Sequence, residues 1–412
     1  VTVLNETPAA TTTAPVRPPE AAHASVGWLP VLRLPHCARL LGATLIGRLP
    51  LGAAPVALLL AARDQGGSYT WGAALAGAFG LAVAAGQPML GRLVDRIGQR
   101  VPILTGALLC AIALVMVAVA GTGRPVVQLT AAIVAGATAP PLEASLRALW
   151  PRTVPSAAHL RAAYALDSGS QELVYVAGPL LATAVTALAG STTTLVATGL
   201  LGLTGAVSLA SSAPSRAWRP PRTRTAGILG ALRPAGLRIL LLALVAVGGA
   251  LGALNVAALA TAERYGTSWL SGALPAALSI GALIGCAVYT ARPWSASLGA
   301  QLVLAGAGFA AAWLPLCLAP GPYTSLVLTV VPGLFFGALL VAAYQAIDVL
   351  ARPGMVTESY GWLVSAFGVG TALGTASAGP WHGSWTVPAA AAATALALLH
   401  AVRRRLDQGM RS

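Results

Sequence analysis

A few ionisable residues stand where charge is costly. Arg48 lies in an apolar stretch that begins near Cys37, about 10 residues in and hence roughly 15 Å deep if the stretch is helical. A guanidinium there costs about 2.5–3.5 kcal/mol on insertion scales, so it must face a cavity and find a partner. Two carboxylates are candidates. Glu172 lies within another apolar stretch and has no basic neighbour within a turn; Glu143 stands four residues before Arg147, so an intrahelical ion pair competes with a cavity role. A carboxylate that is shielded from water and opened first to one side and then to the other can take up and release a proton, because desolvation and nearby charge set its proton affinity. Glu172, with Glu143 second, is therefore expected to couple proton movement to solute movement. Arg48 is expected either to tune that acid or to anchor an anionic solute. Asp167 is expected at the membrane surface, and Asp348 with Arg352 as an ordinary pair one turn apart.

Neutral groups complete the candidate cavity. Gln171, Asn255, Tyr344 and Gln345 could hydrogen-bond a solute, and Trp362 and Phe367 could form its apolar walls. Each has a plainer use, in hydrogen bonding between helices or in packing. A mostly apolar cavity with few polar anchors suits a small amphipathic organic compound.

Composition dictates what must position these residues. Of 412 residues, 57% are hydrophobic and only 9% charged, against about 25% charged in soluble domains. With a mean hydropathy of +0.77, a soluble enzyme is excluded. The net charge is +14 and all 25 basic residues are arginine. They sit between apolar stretches, which points to anionic lipid and topology rather than nucleic acid.

Charge-free intervals count the spans. There are 27 residues between Asp64 and Arg92, 23 between Arg100 and Arg124, 43 between Glu172 and Arg216, and 55 between Arg292 and Asp348. Intervals near 20 hold one helix and those above about 40 hold two. Cutting the long ones at Gly190-Ser191 and at Ala319–Pro322 predicts an all-α membrane protein with 12 transmembrane helices, near 37–62, 69–90, 101–121, 125–147, 166–190, 192–211, 237–261, 268–290, 297–318, 323–347, 359–379 and 386–402. Residues 1–35 read as a disordered cytoplasmic tail, 36–211 as one six-helix bundle, 212–236 as a cytoplasmic linker, 237–402 as a second bundle and 403–412 as a basic tail. With both termini inside, inner segments hold 21 arginines and outer loops three, a strong positive-inside bias. This places the chain in the cell membrane as a multi-pass protein, expected to be a monomer surrounded by lipid. At an offset near 200, Gly72-Ala73 meets Gly272-Ala273 and Arg92 meets Arg292; at 196, Tyr164 meets Tyr360 and Gly178 meets Gly374. These matches and the central linker point to two pseudo-symmetric halves.

Between the second and third helices runs Gly91-Arg92-Leu93-Val94-Asp95-Arg96-Ile97-Gly98-Gln99-Arg100. The glycines permit a reversal and close helix approach. Asp95 could pair with its cationic neighbours or meet a helix N-terminus, a clamp that one conformation makes and another breaks. A solvated basic turn serving topology alone is the competing reading. The run resembles the loop 2–3 signature of the major facilitator superfamily, Gly-x-x-x-Asp-Arg-x-Gly-x-Arg, with Gly91, Asp95, Arg96, Gly98 and Arg100 all matching. The resemblance implies two six-helix bundles, approach of helices 1, 4 and 5 around a central cavity, and a latch between the halves made by Asp95 and Arg96. The corresponding turn of the second half, Ala291–Ser295, keeps an arginine but lacks the Gly and Asp, so the latch is expected from the first half alone. A partial second resemblance, to the fifth-helix motif of drug-exporting members, rests on Gly169 nine residues before Gly178 and on Gly178-Pro179. It implies export, while Gly178-Pro179 taken alone reads as a helix kink.

Neither a Walker A loop nor HExxH nor GxSxG occurs, the histidines lack metal-ligand spacing, and Cys37, Cys110, Cys286 and Cys317 are scattered. No cofactor and no metal is expected. The expectation is a secondary transporter, not an enzyme, exporting a small amphipathic compound in exchange for protons by alternating access. A proton-coupled uptake symporter and a non-transporting receptor are the alternatives.

Overall fold

The computed structural model describes residues 27–409 apart from 122, 220–229, 268, 293, 319–320, 379–380 and 382–383. Most of the expected N-terminal tail, much of the linker and the last three residues of the C-terminal tail thus lie outside the described residues. Among the described residues, ten segments are long and apolar enough to cross a membrane, and the longest, Ala157–Ala210, is two helices meeting at Gly190, where φ is 83°. Val356–Ala378, whose Gly, Ser and Thr lower its hydropathy, is a further span. The twelve are α1 (Cys37–Asp64), α2 (Tyr69–Ile97), α3 (Arg100–Ala120), α4 (Pro125–Thr153), α5 (157–189), α6 (191–210), α7 (Ala235–Arg264), α8 (Leu270–Ala291), α9 (Leu298–Leu318), α10 (Pro322–Leu350), α11 (Val356–Ala378) and α12 (Thr386–Gly409). Within the segment expected as a tail, Trp28–Arg33 form a short helix with Val31 buried.

Three departures from the expected boundaries matter for function. First, α2 continues through the Gly91–Ile97 run, so most of the motif is helix, and the turn falls at Gly98 with φ 99°. Second, α4 is broken. Pro140 and Pro141 supply no N–H and restrict the residues before them, so the helix stops at Ala137 and restarts at Leu142. Third, α5 begins at Ala157, where the Ser156 hydroxyl accepts the His159 N–H and caps the first turn. That start puts Asp167 deep in the bundle, not at its surface.

The two halves repeat each other at close helix crossings. A Cβ on Gly178 of α5 would fall 2.7 Å from the backbone of Gly52 in α1, and one on Gly374 of α11 would fall against the backbone of Gly249 in α7. Small residues allow such approaches where no apolar driving force separates helix from lipid. Gly178 therefore serves contact with α1. Pro179 stays inside the helix, and the non-helical backbone lies at Gly190 instead.

One buried cluster spans both halves, running from Val94, Leu142 and Tyr164 to Tyr344 and Tyr360, whereas Ala53, Leu58, Phe79, Leu114 and Leu195 belong to a second cluster confined to the first half. The first-half members of the shared cluster lie toward the end of the bundle that bears both termini, while its second-half members run the depth of that half. The expected outcome for Gly374→Val is a loss of about 1–3 kcal/mol from over-packing. Gly272→Val, where an added Cβ meets nothing within 4 Å, stays within about 0.5 kcal/mol of the parent. Unfolding in detergent followed by tryptophan fluorescence makes the comparison.

Candidate functional site

Two arginines and two acids meet inside the first half. On α5, Asp167 is fully buried and accepts from Arg48 Nη1 of α1 at 2.6 Å and from Arg147 Nε of α4 at 2.6 Å, one carboxylate oxygen to each. Glu143 lies 2.5 Å from Arg147 Nη1 and 3.5 Å from Arg48 Nη2. Both readings of Glu143 thus hold together, as intrahelical partner and as partner of Arg48. The broken α4 places Glu143 in the first turn of its second piece, where the helix N-terminus favours a negative charge. All four side chains are at most 5% exposed. Charges so buried are tolerable only together, and two of each sign leave the cluster neutral.

The expected pairing of Arg48 with Glu172 is replaced by the pairing with Asp167. Along an α-helix each residue turns about 100°, so Asp167 and Gln171, four apart, share the face toward α1. Gln171 Oε1 accepts from Arg48 Nη2 at 2.5 Å, which commits this candidate solute contact to the cluster. Glu172 is turned away, toward the second half, where it accepts from Ser279 Oγ of α8 at 2.6 Å. Both Gln171 and Glu172 are half-buried, so the pair forms the more open edge of the cluster.

The remaining cavity candidates have found other work or stand apart. Tyr344 is buried, with its ring 3.5 Å beneath the Arg147 guanidinium carbon, a cation–π contact that ties α4 to α10. Gln345 donates to Tyr289 Oη at 3.2 Å within the second half. Phe367 packs edge-on to Phe336, with centroids 6.2 Å apart. Trp362 is half-buried and Asn255 is exposed. Arg147, Asp167 and Ser279 are the residues that sequence reasoning missed in these roles. The Pro155-Ser156 start signal for α5 was the cue for Asp167. Nothing local pointed to Ser279.

The motif meets the other half along α11. Asp95 accepts the backbone N–H of Glu358 at 2.8 Å and of Thr357 at 3.2 Å, capping the first turn of α11 as an anion at a helix N-terminus. A Cβ on Gly91 would stand 2.7 Å from the Thr357 carbonyl, and one on Gly361 would stand 2.6 Å from that of Gln87; higher up, Ser365 Oγ donates to the Ala84 carbonyl. Arg96 and Arg100 are exposed. Of the expected latch, Asp95 makes the contact, while Arg92 and Arg96 act on Glu358 through charge.

Among the described residues, side-chain hydrogen bonds between the halves include those of Ala84, Asp95, Tyr164 and Glu172 in the first with Ser279, Asp348, Thr357, Glu358, Tyr360 and Ser365 in the second. Measured along their helices from the terminus-bearing end, Ala84, Glu172 and Ser279 stand roughly 20 Å in, near the middle of the bundle, and the others stand nearer that end. These bonds hold the halves together from the terminus-bearing end to the middle of the bundle.

The family model described as Major Facilitator Superfamily matches residues 40–375. No curated protein matches the chain in sequence. Solved structures share the fold. A bacterial homologue of the iron transporter ferroportin, in an outward-facing state, matches with a TM-score of 0.74 at 13% identity, covering 91% of this chain and 100% of that one. The Escherichia coli fucose:proton symporter FucP gives 0.67 at 14%, covering 89% and 98%, and the human organic anion transporter MFSD10 gives 0.64 at 16%, covering 89% and 100%.

Removing one member of the charge cluster leaves a buried charge uncompensated, so Asp167→Asn is expected to cost about 3–5 kcal/mol. Combining it with Arg48→Gln should recover at least ~1 kcal/mol of that, as partners in one network do not add. Unfolding of the purified single and double variants reads the coupling directly.

Proposed function

The chain belongs to the Major Facilitator Superfamily, a family of multi-pass membrane transporters, and from that premise we propose that it exports a small amphipathic compound in exchange for protons. The terminus-bearing end faces the cytoplasm of a cell membrane, in keeping with the arginine distribution, and a single chain is the working unit.

The observation that carries this reading is the position of Glu172. The other membrane-embedded acids of the first half, Glu143 and Asp167, are held by arginines in a neutral cluster. Glu172 instead lies at the seam, hydrogen-bonded to the hydroxyl of Ser279 in the opposite half. When the halves rock, that bond breaks and the carboxylate changes its exposure, so its proton is gained on one side and lost on the other. Glu143, whose contact with Arg48 is the longest in the cluster at 3.5 Å, is the second proton-carrying candidate. Arg48 tunes both through Gln171 and Asp167.

Export rather than uptake is supported by the partial fifth-helix motif around Gly169, Gly178 and Pro179. It is also supported by the scarcity of free polar groups: with Gln171, Tyr344 and Gln345 committed to the protein, a polyhydroxylated solute would lack partners for its hydroxyls. Asn255, Trp362 and Phe367 remain to meet an amphipathic compound, with protons as the only other partner required.

Glu172→Gln in proteoliposomes is expected to abolish uphill transport driven by an imposed pH gradient while leaving solute exchange at equal pH intact. Persistence of gradient-driven accumulation would assign the proton elsewhere. The solute is found first by challenging a deletion strain with a chemically diverse toxic panel, and inside-out vesicles then report direction.

A further inference from the structure

Asp95 is not the only acid holding the two halves together. Asp348, in the last turn of α10, accepts hydrogen bonds from Tyr360 Oη of α11 at 2.8 Å and from Tyr164 Oη of α5. The two hydroxyls lie 3.2 Å apart, and Tyr360 Oη is also 3.1 Å from the Tyr344 carbonyl. Both tyrosines are fully buried, while Asp348 is half-buried. The Arg147 guanidinium reaches over from the first half, 5.5 Å from the Tyr360 ring centre as well as against Tyr344.

The chemistry of this group is asymmetric in a useful way. Each tyrosine has one proton to give, and a carboxylate is the strongest acceptor within reach. Tyr360 and Asp348 belong to the same half, so their bond holds no gate. Tyr164 belongs to the other half, and its bond to Asp348 must break if the terminus-bearing ends separate. Tyr164 and Tyr360 are also the pair that match at an offset of 196 in the repeat; equivalent residues of the two halves meet where a pseudo-two-fold axis passes. The second half has no acid in the turn equivalent to the motif, residues 291–295. Asp348 supplies one from a different helix.

We propose that Asp348 is a second latch of the terminus-bearing gate, closing α5 onto α10 and α11 as Asp95 closes α2 onto α11. Asp348 acts as a positioning residue through Tyr164, and the proposal is independent of which acid carries the coupling proton. With two latches set on different helix pairs, the halves cannot hinge about either contact alone, so opening requires both to release.

The test uses the full chain in lipid nanodiscs, with spin labels on cysteines placed at the exposed positions Val101 and Val349 after the four native cysteines are replaced by alanine. Tyr164→Phe keeps the ring and removes only the cross-half hydroxyl. It is expected to raise the ratio of separated to closed terminus-bearing ends about tenfold or more. Asp348→Asn should do the same, and the double variant should add little beyond either. Tyr289→Phe is the control, because its hydroxyl bonds Gln301 and Gln345 within one half; it should lower the melting temperature without moving the distance distribution. An unchanged distribution in Tyr164→Phe would overturn the proposal, as would an equal shift in Tyr289→Phe. Tyr164→Phe decides the matter even if Asp348→Asn fails to fold.

Discussion

A carboxylate shared between two guanidinium groups, far from water, constrains everything around it. Asp167 is held by Arg48 and Arg147 with one oxygen each, and Glu143 returns the charge balance to zero. Separating any of these groups leaves a charge whose desolvation costs several kcal/mol. Helices α1, α4 and α5 must therefore move as one body, whatever else the protein does. The same constraint explains the break in α4: Pro140 and Pro141 end one helix and start another, and the new N-terminus receives Glu143 where a continuous helix would have offered no favourable dipole.

Beyond the stacking of Arg147 on Tyr344, the hydrogen bonds between the halves are of another kind. Asp95 meets backbone N–H groups, Glu172 meets a serine hydroxyl and Asp348 meets tyrosine hydroxyls. In each, one partner is an ionised or ionisable acid and the other a neutral donor, so water can replace either without stranding a charge. Bonds of this type are strong enough to hold a closed state and weak enough to exchange. Glycines 91 and 361 bring the α2 and α11 backbones together along the same seam, and a smooth backbone contact has no interdigitated side chains to withdraw. Charge pairing thus binds helices within a half, whereas replaceable hydrogen bonds and the Arg147–Tyr344 ring contact join one half to the other.

Most of this architecture is legible in the sequence because lipid leaves few options. Apolar stretches of about 20 residues must be helices, so charge-free intervals and two turn signals suffice to count the spans. The offsets that matched Tyr164 with Tyr360 and Gly178 with Gly374 reflect real equivalence, visible in the paired crossings with Gly52 and Gly249. Helix ends are less legible, since polar residues at a membrane surface can extend a helix or end it. The start of α5 at Ala157 rather than near 166 moved Asp167 from the surface to the centre of the cluster. Arg48, Glu143 and Asp95 stood out because intramembrane charge is scarce. Their partners did not, because facing depends on which helices pack together, and a difference of one residue, Gln171 against Glu172, turns a side chain from one half to the other.

Neutrality of the buried cluster also bears on which charge can vary during a cycle. As long as both arginines keep both acids, the cluster contributes no net charge in either orientation of the halves, and moving it relative to the bilayer costs no electrostatic work. A solute or proton that displaced Asp167 or Glu143 would first have to supply a replacement anion for a guanidinium, which a neutral amphipathic compound cannot do. Glu172 carries no such obligation. Its hydrogen-bond partner across the seam is a hydroxyl, and a protonated carboxyl can bond a hydroxyl as an ionised one can. The residue best able to change its charge without unmaking the fold is thus the one placed where the two halves meet.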